Sequence, residues 1–318
     1  MSVFDKYAEE MLESYTHNPR GHYVSALLVR RIESEAIFRT EGSGETQNKE
    51  FVHAGLEDRS LVRRVVISKR KQTAAERRTG RELLRRHDLL YEGEGGDGIC
   101  ALNTNNPCGR CVDCMIYGYA AGGGGAQKSR VITDDAFSLH PAPAVTDVRT
   151  FNAPFEDGTP WDREREQRMT GLGGDEYVKP EAMFLEIETF KDMTPGEIRY
   201  VLGNVLRTTR YGAISSRIGK VKNVLVGVAF SDCELFSNLE LTQAVYDRLK
   251  GDSDELEFPL DVDGVTDAAR EAARTLSRRV VGRVTWLTDG EVDNLVDELI
   301  DLYRDEEQVV QILKGIAY

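Results

Sequence analysis

The sequence predicts an α+β fold. Thr194 to Phe230 is the most telling stretch. Thr194 and Glu197 make a capping box, with Pro195 at the first helical position. Ile198, Val201, Leu202, Val205 and Leu206 then recur with the 3.6-residue period of a helix that buries one face. After Tyr211-Gly212 the pattern changes, and Val224 to Phe230 reads as a buried strand. A second observation is the strand-like run from Tyr23 to Arg39, where Val24, Ala26 and Leu28 alternate. The third is size: 318 residues with 40% hydrophobic content suffice for one large or two ordinary domains.

The link between that helix and strand is basic. Arg210, Arg217, Lys220 and Lys222 stand there without an acid, and Gly212 and Gly219 let the backbone turn and approach a ligand. The whole chain has 41 Lys and Arg against 54 Asp and Glu, a net charge of −13. Acid-free cationic runs therefore stand out, and a long one suits a polyanion better than a single phosphate. A solvated basic turn is the plain alternative. Lysine is scarce beside arginine, 11 against 30, and an acidic, lysine-poor chain fits a protein working in concentrated salt. No signal peptide and no apolar run of transmembrane length is present, so the expected location is cytoplasmic.

In chain order, residues 1–20 predict a short amphipathic helix with Phe4, Tyr7 and Met11 on one side. Glu41 to Glu45 is a polar loop leading to a strand near Phe51–Ala54. Arg59 to Arg86 is the most basic segment, with eleven cations against Glu76 and Glu82. It reads as helical on either side of Ser68–Thr73. Nine net positive charges in 28 residues need a partner, and a nucleic-acid backbone is the best fit.

Cys100, Cys108, Cys111 and Cys114 fall within 15 residues, among turn formers. Their spacing fits a closed tetrahedral zinc site. An iron–sulfur cluster is the weaker competitor, because the C-x2-C-x2-C-x3-C-P run lacks its last Cys-Pro step here. A degenerate site without metal is the third reading. Four thiolates leave no open position for a substrate, so the role is structural. Gly122 to Ser129 resembles a phosphate loop, but Gln127 stands at the second glycine position. His87-Asp88 matches the HD pair of metal-dependent nucleases without further ligands at supporting spacing.

Asp147 to Phe190 predicts a long hairpin. One arm is Val148–Phe155, the other Tyr177-Val178 with Met183, Leu185 and Ile187, and the tip Glu156–Asp175 carries Trp161, Arg163, Arg165 and Arg168. Ser237 and Glu240 cap a helix to about Lys250. Val280–Leu287 predicts a strand, and Thr288 and Glu291 cap another helix. Residues 251–308 hold 17 acids against 6 arginines and should face away from a nucleic acid.

Taken together, these residues resemble the backbone subunit of type I-D CRISPR effector complexes, the family that coats the guide RNA. The carriers are Ser68–Thr73 (SKRKQT), Glu76–Leu84 (ERRTGRELL), Asn103-Thr104-Asn105, Pro107-Cys108-Gly109 with Cys111, Ile116-Tyr117-Gly118, Arg210–Ala213 (RYGA) and Gly219-Lys220-Val221. The resemblance spans most of the chain. It implies a modified RRM-like or ferredoxin-like βαββαβ core over residues 1–318 with peripheral insertions. These are a lid at 40–58, a zinc-binding segment at 92–140 and a thumb-like hairpin at 147–190, with a helical, acidic part at 237–318 packed on the core. It implies no catalytic residues. The implied partners are the crRNA, target nucleic acid paired to the guide, copies of the same chain in a filament and other type I-D Cas subunits, with no membrane.

The candidate RNA-binding residues are Lys69, Arg70, Lys71, Arg77, Arg210, Arg217, Lys220 and Lys222. The candidate metal ligands are Cys100, Cys108, Cys111 and Cys114. Since no aromatic RNP strand is visible, backbone contacts are favoured over base stacking. Two other readings remain: a metal-dependent nuclease using His87 and Asp88, and a DNA-binding regulator acting as a fixed dimer on duplex.

Overall fold

The computed structural model describes residues 2–39, 46–90, 100–101, 106–121, 125–151, 161–162, 167–168, 173–316 and 318. A 3-10 helix over Val3–Glu10 seats Phe4 in the core. β1 (Tyr23–Ile32) is followed by the antiparallel pair β2 (Lys49–His53) and β3 (Leu61–Ile67), and α1 (Lys69–Arg86) starts directly after it. The cysteine segment supplies α2 (Val112–Tyr117) and a small hairpin of β4 (Tyr119–Ala121) and β5 (Gly125–Gln127). β6 (Val131–Thr133), β7 (Ala136–Ser138) and the short α3 (Ala142–Val145) lead to β8 (Thr146–Phe151). β9 (Trp161–Asp162) pairs with β10 (Gln167–Arg168), and β11 (Gly173–Val178) returns beside β8. The chain continues with β12 (Met183–Lys191), α4 (Pro195–Arg207), β13 (Val221–Ser231), α5 (Asn238–Lys250), α6 (Val262–Ser277), β14 (Val284–Trp286), α7 (Asp289–Arg304) and α8 (Glu306–Gly315).

The main sheet runs β14-β13-β1-β12-β7-β3-β2, with β6 also on β12. Within it, β1, α1, β6, β12, α4 and β13 make a βαββαβ unit in the spatial order β13-β1-β12-β6, the ferredoxin-like arrangement. The fold is α+β, as expected. One sheet face, carrying Val24, Ala26 and Leu28, packs on Leu83 and Leu84 of α1 and on Ile198 and Val201 of α4. Strand alternation sends Leu27, Val29, Leu185 and Ile187 to the other face. That face is buried beneath Leu241 and Val245 of α5 and Val265 and Ala269 of α6. An RRM presents its base-stacking aromatics on the face opposite its two helices. Here aliphatic side chains and a second helical layer occupy it.

The capping boxes form as expected. Thr194 Oγ1 accepts from the Glu197 amide at 3.3 Å, and the Glu197 carboxylate accepts from the Thr194 amide at 2.8 Å. The same reciprocal pair opens α7 at Thr288 and Glu291.

Three expectations need correction. Leu61–Ile67 is a strand, because Val62, Val65, Val66 and Ile67 are β-branched, the first two pairing with β2 and the last two with β7. The helix begins only after Ser68. The hairpin's expected second arm divides: Gly173–Val178 pairs with β8, whereas Met183–Lys191 is a central strand between β1 and β7. Its run of eight buried residues cannot sit on a projecting arm. The strand expected over Val280–Leu287 shortens to Val284–Trp286. Most of the hairpin tip, with Arg163 and Arg165, lies outside the described residues, as do 40–45 of the lid, 92–99 of the cysteine insertion, Asn103–Asn105 and 122–124. Among the described residues, no helix is long and apolar enough to cross a membrane.

Candidate nucleic-acid interface and cysteine centre

A buried ionic network joins the two basic segments. Arg30 on β1 is fully buried and faces the carboxylates of Glu186 on β12 and Glu76 on α1, the latter at 2.8 Å. Its guanidinium also donates to Tyr211 Oη at 2.9 Å and Asn223 Oδ1 at 2.8 Å, and Tyr211 donates to Glu76 at 2.9 Å. One guanidinium thus serves α1, β12, β13 and the start of the 210–222 segment. Glu188 lies 3.8 Å from the same nitrogen, so three carboxyl groups surround one cation. Burial lifts Glu186 to about 7 and Glu188 well above the usual carboxylate range. In the sequence Glu186 and Glu188 alternate with Leu185 and Ile187, which puts them on the opposite face of the strand, and that face proves to be buried too.

The 210–222 segment is fixed by its own backbone. Tyr211 N donates to Gly219 O at 2.9 Å, Gly219 N to Glu35 O at 2.6 Å, and Ala213 N to Ile37 O at 2.9 Å. Gly219 has φ +78°, and a Cβ there would lie 2.1 Å from Tyr211 O, so only glycine closes this turn. With the backbone bound inward, Arg210, Arg217, Lys220 and Lys222 point outward and are exposed. Arg210 donates to Ile218 O at 3.2 Å, and Lys220 lies 3.9 Å from Glu33. Arg217 and Lys222 have no ion-pair partner among the described residues.

The start of α1 meets the same strip. Lys71 donates to Arg39 O, in the strip after β1 that also holds the 210–222 turn. Lys69 and Arg70 are exposed and help line a groove of about 660 Å³ along α1. Arg78 and Arg85 extend this lining about two and four turns farther along the helix. They lie seven residues apart on one helical face, a signal present in the sequence that the candidate list did not use.

Arg77 does something different. Its fork donates to both oxygens of Asp113 at 2.9–3.1 Å and to Gly118 O at 2.8 Å. Arg81 joins it, donating to Asp113 at 2.7 Å and to Cys100 O. Asp113 is fully buried, so both arginines anchor the cysteine segment to α1. Arg77, expected among the RNA ligands, has its guanidinium taken up by this tether. Arg64, counted among the eleven cations, is buried and donates to the carbonyls of Ser138, Leu139 and Ala54.

The four candidate ligand cysteines converge. Their Sγ atoms lie within 4.8 Å of one another, with Cys100 to Cys114 at 3.5 Å, Cys100 to Cys111 at 3.9 Å and Cys108 to Cys114 at 4.0 Å. Four sulfurs held at ~2.3 Å from a tetrahedral ion sit ~3.8 Å apart. The amides of Cys108, Cys111 and Cys114 donate to Cys100, Cys108 and Cys111 sulfurs at 3.2–3.4 Å, and Arg81 reaches Cys100 Sγ at 3.6 Å. Mutual hydrogen bonds among the four thiols pull Cys100 well below the usual thiol range and push Cys111 and Cys114 well above it. Four convergent sulfurs with amide donors and a guanidinium around them are what a metal-binding cluster requires. The four residues therefore form a group that can hold a metal ion. His87 ends α1, and its ring lies 3.6 Å from Glu306. Among the described residues, the cysteines are the one metal-competent cluster.

The Csc2 CRISPR family profile matches residues 10–313 of the chain. No curated protein matches it. Among solved structures, the crystal structure of Thermofilum pendens Csc2 has a TM-score of 0.62 at 18% identity, covering 98% of this chain and 96% of that one. A chain of a CRISPR RNA-guided surveillance complex has a TM-score of 0.50 at 11% identity, covering 87% of this chain and 99% of that one. At these identities the likeness concerns the fold.

Proposed function

The chain belongs to the Csc2 CRISPR family, and from that premise we propose that it is a non-catalytic, guide-RNA-binding backbone subunit of a type I-D interference complex. Copies assemble along the crRNA beside other Cas subunits, with target nucleic acid paired to the guide. The observation that supports this most is the convergence of two basic segments. The 210–222 turn and the start of α1 both attach to the strip at 33–39, and the Arg30–Glu76–Tyr211 network holds them from beneath. Arg210, Arg217, Lys220, Lys222, Lys69, Arg70 and Lys71 then act as phosphate ligands on a rigid mount.

The cysteines supply structure. We assign zinc to them, held by Cys100, Cys108, Cys111 and Cys114 and closed to substrate. Zinc would cross-link the segment that Arg77 and Arg81 tie to α1. Residues 40–58 serve as a lid, 92–140 as the metal-binding insertion and β8 with β11 as the base of the thumb. The C-terminal helices pack on the core.

The test is to purify the protein and ask whether RNA comes with it, then to titrate it with single-stranded RNA of increasing length. Length-dependent assembly on single strands is expected. A fixed dimer preferring duplex DNA, or cleavage of RNA or single-stranded DNA with Mg²⁺ or Mn²⁺, would overturn it.

A further inference from the structure

If the chain binds single-stranded RNA, as proposed above, its bases need a surface, and the usual one is closed. The sheet face opposite α1 and α4 is filled by aliphatic side chains under α5 and α6. Among the described residues, the exposed aromatics are Phe51, Trp161 and Tyr318. Tyr318 is already engaged, edge-on to Tyr15 at 5.1 Å and donating to Glu197 at 2.8 Å. Trp161 belongs to a two-residue strand of the small β9–β10 pair. Phe51 alone stands on a well-paired strand of the main sheet, and it is 70% exposed.

The surroundings of Phe51 fit a stacking platform. Arg63 sits directly opposite on β3, and its guanidinium carbon lies 5.2 Å from the ring centroid. An arginine on one side of the ring leaves the other side for a base, with the charge reinforcing the stack. Leu61, next on the same face of β3, is also 70% exposed and would widen the apolar shelf. Glu50 alternates to the other face. The platform also connects to the cations at the start of α1. Lys49, two residues from Phe51 on the same face, pairs with Glu176 of β11. The neighbouring Asp175 lies 3.7 Å from Arg39, whose carbonyl receives Lys71.

We propose that Phe51, backed by Arg63, is a base-stacking site for single-stranded nucleic acid at the outer end of the basic strip. A free edge with exposed apolar residues also suits a protein partner, and the experiment separates the two. RNA affinity of the full-length protein is measured by anisotropy across a salt series for wild type, Phe51→Ala, Phe51→Leu and Phe51→Tyr. A stacked base is expected to make Phe51→Ala and Phe51→Leu roughly 5- to 150-fold weaker, with Phe51→Tyr near wild type. The loss should persist at high salt with an unchanged slope, because no phosphate contact is removed. An oligomer carrying abasic positions throughout should erase the difference between wild type and Phe51→Leu. Wild-type affinity in Phe51→Ala and Phe51→Leu would overturn the proposal. So would a Phe51→Ala defect that Phe51→Leu restores, which marks an apolar protein contact. If wild type itself fails to bind single-stranded RNA, the functional reading falls first.

Discussion

The two basic segments carry similar chemistry and use it in opposite ways. On α1, Arg77 and Arg81 turn inward to the buried Asp113 and the cysteine segment. In the 210–222 turn, the backbone is bound inward and the cations turn outward. Geometry explains the difference. A helix distributes its side chains around a cylinder, so a cation every few residues necessarily meets whatever packs on each side. A turn pinned by main-chain hydrogen bonds has no such obligation. Counting positive charge therefore overstates how much of α1 is available to a nucleic acid. The nearest carboxylate decides which arginines bind a ligand and which hold the fold.

The sharpest way to test this contrast is Arg81→Ala. It removes the second guanidinium from the buried Asp113, which Arg77 still holds through both oxygens, and the donor to Cys100 O, so hydrogen bonds to a charged group worth about 1.5–3 kcal/mol are lost. Urea unfolding should show the loss, with metal content falling as the segment loosens. An exposed phosphate ligand would show neither change.

The complementary test replaces Arg217, Lys220 and Lys222 with Glu. Circular dichroism and stability should match wild type, while RNA-dependent assembly is lost. The single-strand salt slope is about −0.7 per neutralised phosphate, so three lost contacts flatten it by roughly 2. Near 1 M salt the Debye length is only ~3 Å, and close contacts alone remain. A folded mutant with unchanged affinity and slope would leave α1 as the track.

Cys111→Ser probes the tether from the other side. It should remove zinc from the purified protein and disorder the insertion around α2 while β1, β12 and β13 stay folded, because the site closes a short loop. Metal analysis and limited proteolysis read both effects. Iron with sulfide in place of zinc would change the assignment of the site.

A smaller effect should come from pH through the network beneath both segments. Arg30 on β1 faces Glu76 on α1, Glu186 and Glu188 on β12, and Tyr211 ahead of β13. Glu186 is lifted from 4.5 to about 7 by burial, and burial also lifts Glu188 well above the usual carboxylate range. The folded state thus binds protons that the unfolded chain has released. Stability should be greatest below about 4.5 on this account and decline as pH rises through about 7. Glu188→Gln should flatten that decline and raise the urea midpoint at pH 8 relative to wild type. Parallel wild-type and mutant profiles would show that Glu188 does not hold a proton.

By itself, the sequence determined the parts governed by local chemistry. The capping boxes at Thr194 and Thr288, the buried strand read at Val224–Phe230 and found at Val221–Ser231, the glycine-dependent turn at Gly219 and the convergence of four cysteines all follow from short-range pattern. Only the tertiary structure decided that Leu61–Ile67 is paired on both sides and that Met183–Lys191 lies in the middle of the sheet, because the partner strands come from distant parts of the chain. It alone turned Arg77 and Arg81 inward, covered the sheet face with α5 and α6 and left Phe51 exposed. Each of those outcomes depends on what a distant segment places opposite a residue, and the spacing of neighbours along a chain does not record it.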